Sequence, residues 1–209
     1  MALTKSHPSE VEVKNLLVCY QNGRLRDAEK LAISITKEFP RHQFSWKVLG
    51  ALFQQQGKLS EALAATQKSV EINPKDAEAH SNLGSVFDQL GKLEEAEKCF
   101  KKAIVIKSDF FQAYANLGII LQKLSKLEDA EKNHRHAIAL KPDYAEAYCN
   151  LGIVLQELHR PEEALAVFNE AVKLKPNYAE VFLNSSIAQD YLNNLDAAIL
   201  QLENILAID

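Results

Sequence analysis

Apolar residues along this chain fall at helical spacing in short stretches that recur. Over 111–124 the large apolar positions are Tyr114, Leu117, Ile120, Leu121 and Leu124. Over 127–140 they are Leu127, Ala130, Ala137, Ile138 and Leu140, with His134 in the same stripe. Steps of three and four put each set on one face of an amphipathic helix, so the two stretches predict a helix pair. The pair then returns. "AEAHSNLGSVFDQL" begins at Ala77, "FQAYANLGIILQKL" at Phe111 and "AEAYCNLGIVLQEL" at Ala145, each 34 residues after the last.

The same interval governs the small and the helix-breaking residues. A Gly slot runs through Gly50, Gly84, Gly118 and Gly152, with Ser186 completing it. An Ala slot runs through Ala28, Ala62, Ala96, Ala130, Ala164 and Ala198, and a Pro slot through Pro40, Pro74, Pro142 and Pro176, with Ser108 in the missing place. Gly23, Gly57, Gly91, Ser125, His159 and Asn193 mark the turn inside each pair, and the prolines end the second helix. Small residues let helices approach, while Trp46, His80, Tyr114, Tyr148 and Phe182 fill the space between them. The predicted organisation is a leader over 1–8 and one repeat domain over 9–209, with units 9–42, 43–76, 77–110, 111–144, 145–178 and a shortened 179–209.

The large–Leu-Gly–Ala–Phe–Ala–Pro order on this period resembles the tetratricopeptide repeat. The resemblance covers nearly the whole chain and is sharpest in units three to five. Units one and six depart from it, with Asn15 and Leu16, then Ser185 and Ser186, in the Leu-Gly slots. Terminal repeats are commonly atypical. The resemblance implies an all-α fold, an α-solenoid wound as a right-handed superhelix of about six helix-turn-helix repeats. A narrower resemblance joins "FPRHQFSWKVLGALFQQQGKLSEAL" and "DAEAHSNLG" to the N-terminal arrays of bacterial multidomain proteins. There the repeats precede a sulfotransferase or a glycosyltransferase related to O-linked N-acetylglucosamine transferase. It covers the repeats alone and carries no transferase activity to this chain.

Composition narrows the function classes. The 209 residues are 47% hydrophobic and 25% charged, with a formal net charge of −4 and interspersed signs. That balance favours neither nucleic acid nor an anionic membrane as partner. No apolar run approaches the length of a membrane span, and the first residues lack the apolar core of a secretion signal. Cys19, Cys99 and Cys149 are an odd number at long spacing, which fits neither a disulfide framework nor a zinc site and places the chain in reducing cytoplasm. Cys149 is expected towards the groove. His134 and His136 lie two apart on a helix and cannot share a metal; His134 and His80 read as packed core residues. No nucleotide, hydrolase or metalloprotease fingerprint is present. The reading is therefore a non-enzyme that needs no cofactor and binds a protein or peptide.

The residues that would bind are columns created by the period. Asn82, Asn116, Asn150 and Asn184 recur one position before the buried Leu, about 100° from it around the helix. Asn is a poorer mid-helix residue than Ala, Gln, Glu or Lys by a few tenths of a kcal/mol. Its amide offers a donor and an acceptor, which suits the backbone of an extended peptide. The position resembles the ladder on the concave face of the O-linked N-acetylglucosamine transferase array, which holds polypeptides. The other reading is inheritance by duplication without a ligand. Three residues on come Ile119, Ile153 and Ile187, either a groove stripe or partial packing against the next unit; six on come Gln122 and Gln156. The chaperone carboxylate clamp of repeats like these needs cations where Ser81, Ser85, Cys149 and Ile153 stand, so it is rejected. The last helix, 195–209, is expected to expose apolar residues such as Ile199 and Leu202. That predicts either continuation past Asp209 or self-association, so a structural scaffold acting through its repeat ends is the alternative function.

Overall fold

The computed structural model describes residues 7–191 together with 199, 200 and 203. Among these it contains eleven α-helices and no strand. In chain order they are α1 (Glu10–Gln21), α2 (Leu25–Glu38), α3 (Gln43–Gln55), α4 (Leu59–Ile72), α5 (Ala77–Gln89), α6 (Leu93–Ile106), α7 (Phe111–Lys123), α8 (Leu127–Leu140), α9 (Ala145–Glu157), α10 (Pro161–Leu174) and α11 (Ala179–Tyr191). Each of the first five units is one helix pair, and α11 is the first helix of the sixth. The fold is an all-α helical-repeat solenoid. Of the second helix of unit six only residues 199, 200 and 203 are described: Ile199 and Leu200 are exposed, as expected of a C-terminal apolar face, while Asn193, Ala198 and Leu202 lie outside the described residues.

Chain-local chemistry sets the helix boundaries. Ser9 and Glu12 form a reciprocal capping box at the start of α1, and the Asp76 carboxylate accepts from the Ala79 amide at the start of α5. The turn residue of every described pair is left-handed: φ is +69°, +72° and +71° at Gly23, Gly57 and Gly91, and +57° at Ser125 and His159. The left-handed turn lets the next residue's amide reach back to the carbonyl five residues earlier. Arg24, Lys58, Lys92, Lys126 and Arg160 do this at 2.8–2.9 Å.

The described chain forms two compact units, divided between Ser108 and Asp109. The division comes at Ser108, the one proline slot filled by another residue. In the first unit α3 lies beside both α1 and α5, with α2 and α4 stacked between successive pairs. In the second, α9 lies beside α7 and α11, with α8 and α10 placed likewise.

Within a pair, one contact decides how closely the helices approach. A Cβ added at Gly50 would lie 2.6 Å from the Thr66 methyl, and one at Gly118 2.6 Å from the His134 ring. One at Gly84 would meet the Phe100 ring at 3.0 Å, and one at Gly152 would run into Phe168. Each partner stands sixteen residues after its glycine, on the second helix, and each is buried. Unit one fills the same two slots in the opposite sense. Leu16 takes the glycine place, Ala32 takes the ring place, and both are fully buried in one core cluster. The large side chain has changed helix while the pair still closes.

Charged side chains join neighbouring pairs within each unit. Lys47 on α3 reaches Asp76 at 3.2 Å and Glu78 at 2.6 Å. Arg160 meets Glu131 on α8 and Glu163 on α10, both at 2.6 Å, and Arg135 meets Glu131 at 2.9 Å. Partial burial works to raise the Glu131 carboxyl pKa, yet the two guanidiniums hold it below the ordinary carboxylate value.

His134 sits in the stripe as expected, fully buried, and neither ring nitrogen has a hydrogen-bond partner within the protein. Burial lowers its pKa from 6.5 to about 4, so the ring is neutral at pH 7. His80 departs from the expectation of a packed core residue. It is half-buried, and its Nε2 lies 3.0 Å from the Pro74 carbonyl, the counterpart of the 2.9 Å bond that Trp46 donates to Pro40.

Two outcomes follow from this packing. Gly118→Ala is expected to destabilise the fold by about 1–3 kcal/mol through overpacking. In a double-mutant cycle with His134→Ala, part of that loss should disappear, because the two side chains share one space. Between pH 6.5 and about 4 the unfolded chain binds a proton at His134 that the folded chain does not. Stability therefore falls as pH drops through that window, by on the order of 2–3 kcal/mol in total. Urea denaturation across the window should show this slope in the parent and a flatter one in His134→Phe.

Candidate interaction face

The first helices of successive pairs form one face of each unit, and the asparagine column lies on it. Asn116, Asn150 and Asn184 occur on α7, α9 and α11 of the second unit; Asn82 is on α5 of the first. All four are half-buried. Their position on the helix explains this, since the following Leu83, Leu117 and Leu151 point into the core and are at most 8% exposed.

Hydrogen bonding then separates them. The side-chain amides of Asn82, Asn116 and Asn150 have no partner among the described residues. Asn184 differs, because its side chain and the Tyr178 hydroxyl both hydrogen-bond the Cys149 thiol. Cys149, expected towards the groove, is fully buried, and burial pushes its pKa up to about 11. In its column Ser81, Ala115 and Cys149 are buried, Lys47 is half-buried, and Leu183, in the last described helix, is exposed. The residues before Asn82, Asn116 and Asn150 are thus interior.

The isoleucine column grades from packing to surface. Ile119 and Ile153 are half-buried, whereas Ile187 is 51% exposed. The glutamine column has structural partners. Gln122 Nε2 donates to Glu157 at 2.7 Å, and Gln156 Nε2 donates to the Asn184 carbonyl at 3.0 Å, so both glutamines bridge neighbouring repeats. That bridging was not legible from spacing alone, since it depends on the distance between pairs.

Between α9 and α11 the columns enclose a pocket of about 250 Å³. Ile153, Ile187 and Ala188 supply its apolar lining; Gln156, Glu157 and His159 contribute the polar edge. It brings together three residues singled out in the sequence: Ile153, Gln156 and Ile187. Glu157 and Pro161 were not singled out and His159 was read only as a turn residue, because they stand at the turn and not in the repeating face. A second apolar hollow in the first unit is bounded by Val13, Leu17 and Phe44 with Glu10 and Lys14.

The family models agree with the geometry. Tetratricopeptide-repeat models match residues 50–91, 77–110 and 109–177. The chain is built from tetratricopeptide repeats. No curated protein sequence matches it significantly. Among solved structures, PilW, a widely conserved type IV pilus biogenesis factor, superposes with a TM-score of 0.87 at 19% identity, covering 96% of this chain and 94% of its own. YrrB, described as a TPR protein with an unusual peptide-binding site, gives a TM-score of 0.67 at 24% identity, with 85% and 92% covered. MamA gives 0.70 at 22%, with 79% and 91% covered. At these identities the likeness is one of fold.

Tetratricopeptide repeats are protein–protein interaction modules, and three buried or half-buried free thiols are the reactive groups nearest to chemistry here. Burial raises the Cys99 pKa to about 11 as well, which keeps that thiol protonated at neutral pH. Among the described residues, no cluster of His, Cys, Asp or Glu is arranged to hold a metal ion, and no helix is long and apolar enough to cross a membrane.

Proposed function

We propose that this protein is an interaction scaffold whose second unit takes an extended peptide or partner segment across α7, α9 and α11. The observation that carries the reading is the pair of half-buried, unpartnered amides at Asn116 and Asn150. A polar group fixed on a packed helix but left without a partner loses little by binding and gains one or two hydrogen bonds. Asn82 offers the same group in the first unit. Asn184 acts by holding Cys149 and by presenting its carbonyl side to Gln156. The net charge of −4 argues against nucleic acid as the ligand. The free cysteines fit a reducing, cytoplasmic setting, and the resemblance to arrays that precede transferases favours service to a larger protein.

Magnitudes limit what the amides do alone. Each hydrogen bond contributes about 0.5–1.5 kcal/mol net. Micromolar binding needs about 8 kcal/mol. Side chains on the isoleucine stripe, or tethering to another domain, must supply the remainder. Self-assembly through the repeat ends is a second reading, favoured by exposed Val11, Leu17, Val18 and Tyr20 on α1. Sedimentation that changes with concentration would support it.

The test is a proteome-derived peptide screen on the parent and on the Asn116→Ala, Asn150→Ala double variant. Helical content and melting should stay near the parent's, since neither amide has an internal partner. Peptide binding is expected to fall about tenfold or more, the loss of roughly two hydrogen bonds. Equal binding by both chains would return the asparagines to inherited scaffold.

A further inference from the structure

The pocket between α9 and α11 gives the proposed ligand a chemical class. We infer that it takes a large aliphatic side chain, Leu, Ile or Met, of a peptide whose adjacent residue is Lys or Arg. This inference rests on the reading of the face as a peptide site.

Size and lining set the first half. About 250 Å³ is smaller than the usual small-molecule or cofactor site but ample for one side chain. The apolar walls are aliphatic, from Ile153, Ile187, Ala188 and Pro161, and the His159 ring stands at the polar edge. The walls are also held apart by a defined bond, from Gln156 on α9 to the Asn184 carbonyl on α11. The half-exposed Ile187 leaves apolar surface that an incoming side chain would cover. Asn150 and Asn184 stand three residues before Ile153 and Ile187, so the free Asn150 amide lies about one turn, roughly 5 Å, along the helix from the pocket. That separation is within reach of the backbone beside a seated side chain.

Charge sets the second half. The two helices that build the pocket carry Glu146, Glu157 and Glu180 and contain no Lys or Arg. Glu146 is partnered by Lys175 at 3.3 Å. Glu157, exposed at the pocket edge, accepts from the neutral Gln122 amide on Oε1, and no cation pairs with it among the described residues. An exposed carboxylate beside an apolar pocket selects a cation next to the anchor more through specificity and rate than through raw affinity.

The experiment is a positional-scanning library of short peptides, read by fluorescence anisotropy against the parent chain, Ile187→Ser, Glu157→Gln and the double asparagine variant. Ile187→Ser changes an exposed side chain, and Glu157→Gln retains an acceptor for Gln122, so both variants should fold. Enrichment of an aliphatic–basic pair is expected in the parent. Ile187→Ser should weaken the enriched peptide about tenfold or more. Glu157→Gln should weaken it about threefold, with the difference gone at about 0.5 M salt. Peptides that need Asn116 and Asn150 but show no aliphatic–basic preference, or ignore Ile187→Ser, would overturn the pocket assignment and leave the face reading intact. No peptide binding to the parent would overturn both.

Discussion

In four of the five described helix pairs a glycine on the first helix faces a side chain on the second, sixteen residues later, with no room for a Cβ between them. This contact fixes the distance within the pair, and that distance fixes everything stacked upon it. Gly50 with Thr66, Gly84 with Phe100, Gly118 with His134 and Gly152 with Phe168 leave no space for one added carbon. Protein interiors pack at crystal-like density, so the shape of the pair is set by which helix carries the bulk. Leu16 opposite Ala32 shows that the rule concerns total volume and not the glycine itself. His134 shows how far the rule tolerates polarity. A fully buried imidazole without a partner is kept because it fills the same space as Phe100 and Phe168, at the expense of stability in acid.

A constant pair distance with a constant period turns single residues into surface features. The residue before Asn82, Asn116 and Asn150 becomes interior, the asparagine sits at the boundary, and the isoleucine three residues on passes from packing to exposure at Ile187. The glutamines tie neighbouring first helices through Glu157 and the Asn184 carbonyl. The binding face in this account is therefore a by-product of stacking: the packing determines which polar groups find partners, and in the second unit it leaves the side chains of Asn116 and Asn150 on this face without one. Preorganisation matters here because amides held on packed helices lose little freedom when a ligand arrives.

Much of this was legible in the sequence because tetratricopeptide packing is local. The paired helices, the turn positions at Gly23, Gly57, Gly91, Ser125 and His159, and the buried stripe all follow from contacts within a pair or between adjacent pairs. What escaped depends on inter-repeat geometry. Spacing put Cys149 towards the groove, but the neighbouring helix covers it and supplies Tyr178 and Asn184 as partners. Spacing treated His80 as core, whereas its slot lies at a repeat edge where the Pro74 carbonyl is available. Gln122 and Gln156 read as ligand-facing amides, and the structure gives each a partner one repeat away. Glu157 was not singled out and His159 was read only as a turn residue, yet both edge the pocket that joins Ile153 and Ile187.

The central claim is that Asn116 and Asn150 present amides free to bind a peptide backbone. The side-chain NH₂ resonances of a ¹⁵N-labelled chain test it most directly, followed while a peptide recovered from the screen is added. The account predicts that the Asn116 and Asn150 resonances move and saturate together with the ligand, while the already bonded Gln156 amide moves less. Saturable peptide binding that leaves both asparagine amides unmoved would contradict it.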